Sequence, residues 1–186
     1  MAPKKKTADD PAVVEFLDQY RADAFVEDVL ALTTEDAAVL ALGLWDFNRQ
    51  NETNDARAIR VRHATGAGDR PLRLDVAEIV GPDMAFLVDS AIVACQEAKV
   101  EIRAVLHPVV EGPKGKRSAI QIHLPLLDDH LRAELQKRLE GAFADVAVVN
   151  ADFHAMRAKM ESVSAELASV KAAGGRTSGE IDEARA

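Results

Sequence analysis

The chain has 186 residues, of which 48% are hydrophobic and 29% charged, and a formal net charge of −8. That is the composition of a globular protein with room for one domain and an accessory element. The acidic balance argues against nucleic acid as a partner, because phosphate binding draws on clustered Lys and Arg. The basic run at Lys4, Lys5 and Lys6 sits just ahead of Asp9 and Asp10. No stretch reaches the roughly 18 continuous apolar residues of a membrane helix. Met1 is followed by charged and polar residues rather than the apolar region of a secretory leader, so a cytoplasmic location and no membrane partner are expected. One cysteine, Cys95, rules out a disulfide within the chain.

Residues 1–10 read as a disordered tail and 11–56 as an N-terminal helical segment. Val13, Val14, Phe16, Leu17 and Tyr20 recur at helical spacing. Ala24, Phe25, Val29 and Leu30 suggest a second short helix. Thr33, Thr34, Glu35 and Asp36 form a capping sequence, in which a hydroxyl takes a free amide and acidic groups favour the helix start. The helix it opens runs through Leu40, Leu44, Trp45 and Phe47, and polar residues 48–54 end it.

Apolar and basic residues alternate over 58–63, which predicts a half-exposed strand. Residues 65–69 form a loop. Leu72, Leu74, Val76, Ala77, Ile79 and Val80 make a largely buried strand. Gly81, Pro82 and Asp83 break it, and Asp83 is placed to cap the next helix. That helix, 84–98, is apolar on several faces. A strand is predicted over 100–110, with Val100, Ile102, Ala104 and Leu106 on one face and Glu101, Arg103, Val105 and His107 on the other. Residues 112–115 are a hairpin connection. The return strand, 118–124, sets Ile120, Ile122 and Leu124 against Gln121 and His123. A helix then runs to about residue 143, and Val146, Val148 and Val149 predict a short last strand. The order β-α-β-β-α-β makes residues 57–150 an α+β, ferredoxin-like domain: a four-stranded antiparallel sheet with two helices on one face. Met156, Met160, Val163, Leu167 and Val170 form one apolar stripe on a C-terminal amphipathic helix, 151–172, suited to core packing or a helix–helix contact and by itself too short to claim a coiled coil. Residues 173–186 read as a flexible tail or linker.

Several positions invite a chemical reading. Asp83 stands at a helix start, where amides hold anions such as carboxylates. Asp89 and Ser90 interrupt the apolar helix and face solvent or a neighbouring domain. His107 and His123, with Glu101, Arg103 and Gln121, suggest a polar, solvated sheet face or a docking surface for another domain or subunit. Neither histidine has the cysteine or carboxylate spacing of a zinc site, so no metal is expected. The glycines at 66 and 68 lack the third glycine of a dinucleotide cradle, and Arg117 stands where a Walker loop needs Ser or Thr. No nucleophile elbow is present.

The segment EIVGPDMAFLVDS (78–90), then HPVV (107–110), SAIQI (118–122) and DVAVVNADFHAM (145–156), resembles one family: the N-terminal region of the large bacterial NAD-specific glutamate dehydrogenase. Members carry Asp-Met-Pro-Phe-Leu-Val-Asp-Ser, His-Pro, Ser-x-Ile and Asp-Val in that order. Asp83, Met84, Phe86, Leu87, Val88, Asp89 and Ser90 match the first word, and His107, Pro108, Ser118, Ile120, Asp145 and Val146 match the later ones. Ala85 replaces the family proline, and Phe153 a tryptophan. The resemblance implies an ACT-type module, of a kind that binds amino acids or pairs with its like to regulate an enzyme. It implies a non-catalytic region with no cofactor of its own, the NAD-dependent centre lying elsewhere in a longer chain. The implied partners are the other domains of that chain, further copies in a homo-oligomer, and an amino-acid effector. The generic ACT pattern has a Gly where Phe86 stands, which weighs toward interaction and assembly ahead of sensing. The candidate ligand or interface positions are Gly81, Asp83, Met84, Phe86, Asp89, Ser90, His107 and His123. A stand-alone ACT-like sensing or dimerisation module is the alternative.

Overall fold

The structure is a computed structural model that describes residues 11–23, 32–54 and 56–183, with side chains except those of residues 153–155, 158 and 167–183. The short helix expected at Ala24 to Leu30, the tail 1–10 and residues 184–186 lie outside the described residues. Helices are α1 (Pro11–Asp23), α2 (Thr34–Gln50), α3 (Leu87–Glu97) and α4 (Asp129–Glu183). Strands are β1 (Ala58–Thr65), β2 (Pro71–Pro82), β3 (Ala104–Leu106), β4 (Val109–Gly112) and β5 (Gly115–Leu124). The chain divides into two compact units, Met1–Val146 and Ala147–Ala186. Among the described residues no helix is long and apolar enough to cross a membrane.

The first unit is a mixed α/β, ferredoxin-type fold on an antiparallel five-stranded sheet. Its strand order is β1-β2-β5-β3, with β4 also paired to β5. β2 is the spine, its residues 74–81 buried on both sides. Successive side chains alternate between the two faces. Ala77, Ile79, Ile120, Ile122 and Leu124 meet Leu87, Ala91, Ala94 and Cys95 of α3 and Leu135, Leu139 and Phe143 of α4. On the other face, Val80 and Ala119 pack with Val13, Phe16 and Tyr20 of α1 and Ala41, Leu44 and Trp45 of α2. Burying each large side chain contributes about 1.5–3 kcal/mol, so both layers hold the sheet. Thr33 caps α2 as its sequence predicts, its hydroxyl accepting from the Asp36 amide at 3.1 Å.

The polar sheet face is not solvated. Gln121 and His123 are buried, because α1 and α2 cover that face. The strand expected at 146–149 is helix instead. Valine favours strands, but Leu135, Leu139, Phe143 and Val146 continue one helical stripe into the core, and packing outweighs propensity. Nor is the edge of β2 free for such a strand, since β1 already pairs there in antiparallel register, Val61 opposite Ala77. The predicted tail also departs from expectation, being helical in backbone to Glu183. No proline follows Pro125 to break that helix.

The strand expected over 100–110 is shorter and interrupted. Residues 101–103 are not strand, so the alternation restarts at Ala104. Val105 therefore pairs with Ile122 and joins the α3–α4 face, while Leu106 pairs with Gln121 and joins the α1 side. Pro108 has no amide to give and splits β3 from β4. The register survives the break, since Leu106 faces Gln121 and Val109 faces Ser118.

Candidate functional site at the β2–α3 turn

The chain leaves β2 through Gly81, Pro82 and Asp83. A Cβ on Gly81 would lie 2.5 Å from Arg57 Cγ and 3.2 Å from Arg57 Cα, so only glycine lets residue 57 pass this closely. The Arg57 guanidinium donates to the Pro82 carbonyl and lies 5.5 Å from the Phe143 ring centroid. Burial pushes its pKa down to about 10, against the opposing pull of Asp83.

Asp83 does not cap α3. The helix starts at Leu87, and Asp83 turns back to the sheet instead. Its amide donates to the Lys116 carbonyl at 2.9 Å. Its carboxylate accepts from the Ser118 hydroxyl at 2.5 Å, and Ser118 Oγ lies 2.9 Å from His107 Nε2. A hydroxyl has one hydrogen. Ser118 gives it to Asp83, so the proton in the second contact sits on His107 Nε2. This order, imidazole to hydroxyl to carboxylate, anchors the turn. It does not activate a nucleophile, because the imidazole is a donor to the serine and not its base.

Phe86 occupies the N-cap position of α3 at φ +69°, without a side-chain capping bond. The residue that replaces the generic glycine thus keeps a glycine-like backbone, in a region that costs other residues roughly 1–2 kcal/mol. The residue is 54% exposed. Asp89 is exposed and Ser90 half-buried, while Met84 packs on the α3–α4 core. The turn therefore presents an acidic group, an aromatic ring and the start of α3 to solvent.

Of the residues singled out from sequence, Gly81, Asp83, Met84, Phe86, Asp89 and Ser90 all lie on this turn and the first turn of α3. His107 joins them through Ser118. His123 does not; it lies on the opposite face, its Nε2 3.0 Å from Gln121 Oε1 and 3.5 Å from the Tyr20 hydroxyl.

That opposite face holds a buried polar network that sequence reasoning overlooked. Glu78, in the middle of β2, is fully buried. Its carboxylate accepts from Arg60 Nε at 2.5 Å, from Arg62 Nε and a terminal Arg62 nitrogen at 2.9 Å each, and from Gln121 Nε2 at 2.8 Å. The Tyr20 hydroxyl donates to Gln121 Oε1 at 2.5 Å. Burial, with the Glu78 charge next, pushes the Tyr20 pKa well above its usual value. The signal was present in the sequence: a lone glutamate inside an apolar strand must be paired, and Arg60 and Arg62 share one face of the neighbouring strand. The network ties α1 to the sheet and is fully satisfied, which suits a structural role. Among the described residues, no group of three His, Cys, Asp or Glu side chains is placed to hold a metal ion.

The ferredoxin-type sheet and the turn leading into α3 define an ACT-like domain. The model of the glutamate dehydrogenase ACT1 domain family matches residues 16–167, and the chain belongs to that family. No curated protein and no solved structure matches the chain.

Proposed function

We propose that this chain is the regulatory and assembly region of an NAD-specific glutamate dehydrogenase and acts in the cytoplasm. The parent enzyme would convert glutamate, NAD and water to 2-oxoglutarate, NADH and ammonium. The region itself carries no catalysis and no cofactor. Its partners are the remaining domains of the parent chain, other copies of itself, and an amino-acid effector. The observation that carries this reading is the family match over residues 16–167, on a chain whose turn is anchored through Asp83 and Ser118 rather than built to react.

The turn is the ligand-facing part of the module. Phe86, exposed and in a glycine-like conformation, leaves it open to a small molecule. That supports effector binding more than its identity alone suggests, and keeps the stand-alone sensing module as a second reading. Two assays on the purified chain test the proposal. With glutamate and NAD it should form no NADH; NADH formation would refute the non-catalytic role. Thermal unfolding against a panel of amino acids, with nucleotides as controls, should show one amino acid raising the midpoint. A ligand at a hundredfold excess over its dissociation constant stabilises by about 2.7 kcal/mol.

A further inference from the structure

The second unit carries an apolar seam along its helix. On α4, Val149, Met156, Met160 and Val163 are 52%, 60%, 70% and 47% exposed. The sequence places Phe, Leu and Val at positions 153, 167 and 170. The resulting steps are four, three, four, three, four and three, a strict heptad seam over three repeats. Every position between is polar or alanine. An apolar stripe this regular, exposed at Val149, Met156, Met160 and Val163, suits a helix-pairing surface.

The flanking charges select the occupant. With 153, 160 and 167 at a and 149, 156, 163 and 170 at d, the g positions are Asp152, Lys159 and Glu166 and the e positions Arg157, Ser164 and Lys171. In a parallel, in-register pair each g residue faces the e residue five positions on in the partner. Asp152 then meets Arg157, Lys159 meets Ser164, and Glu166 meets Lys171, with no like charges opposed. An antiparallel pair sets Lys159 against its own copy and Asp152 against Glu166 in one register, and a shift of one heptad either way gains only Lys159 against Glu166 or Lys159 against Asp152. We infer that residues 149–170 pair with the same segment of a second copy of this chain as a parallel two-stranded coiled coil. This rests on the assembly part of the function proposed above and gives it a partner and a geometry.

Sedimentation equilibrium of the whole chain over a concentration series tests it. Wild type should move between monomer and dimer. Met160→Asp, at a highly exposed position that leaves the monomer's core untouched, should weaken association about a hundredfold by placing two carboxylates in the seam. Asp152→Arg should weaken it roughly threefold to tenfold, and adding Arg157→Asp should restore it. A dimer indifferent to Met160→Asp, or a double swap that does not restore association, would overturn the coiled coil while leaving assembly standing. A monomer at every concentration would overturn both.

Discussion

The Ser118 hydroxyl lies 2.5 Å from Asp83 Oδ1, so the residue that opens the β2–α3 turn is fastened to the neighbouring strand and not to the helix ahead of it. The turn's shape is thereby set by the sheet. Ser118→Ala should cost about 1 kcal/mol in urea unfolding, below the usual contribution of a bond to a charged group because Asp83 is exposed and water replaces the lost donor. It should also weaken any effector binding at the turn. An unchanged midpoint would mean that the bond anchors nothing.

Glu78 is the reverse case, a fully buried carboxylate whose removal strands two cations. Glu78→Ala should destabilise the fold by about 3 kcal/mol, less than for a wholly buried pair because Arg60 and Arg62 remain 35% and 27% exposed. Glu78→Gln, keeping the shape and one acceptor, should cost less. Chemical denaturation of the two variants orders them.

Phe86 separates backbone from side chain. Phe86→Gly removes the left-handed penalty but adds freedom to the unfolded chain, so the two effects offset and stability should change by less than about 1 kcal/mol. Phe86→Val, β-branched at positive φ, should lower the melting temperature clearly. If the glycine variant fell as far as the valine one, the ring rather than the backbone would be what the turn needs.

Acid should loosen the start of α2. Asp36 accepts from the Ala67 amide at 2.9 Å and from Arg70 at 2.6 Å. The Ala67 amide first, with Thr33 and Arg70 adding to it, holds its carboxyl below the ordinary value of 3.8. A carboxyl depressed in the folded state stabilises above its unfolded pKa, and that contribution fades as pH falls through the folded one. Melting temperature should therefore drop on acidification below about pH 4, and Asp36→Asn should flatten that part of the profile.

Much of the fold was legible because its signals are local: the cap at Thr33, the alternation in β1 and β5, and the words that carry the family resemblance; the break expected from Gly81 comes two residues later, at Asp83, because Gly81 and Pro82 still pair with Ser118 and Arg117. The misses have non-local causes. Val146 to Val149 look like a strand by residue type, yet the stripe ending at Val146 and the prior claim of β1 on the edge of β2 keep them helical. His107 and His123 seemed to share a face until the alternation restarted at Ala104. Asp83 was singled out from the sequence, but its partner Ser118 lies 35 residues away and no spacing rule joins them. Gln121 and His123 looked solvent-facing because sequence does not state that α1 and α2 fold over that sheet.

The central claim is that the β2–α3 turn is the ligand-facing part of a regulatory module. Residue-resolved amide NMR of the chain, titrated with each amino acid in turn, tests it most directly. The account predicts that one amino acid shifts the amides from Gly81 to Ser90 and that of His107, and that Asp83→Ala abolishes the response. Shifts confined to another surface, or a response that survives Asp83→Ala, would contradict it.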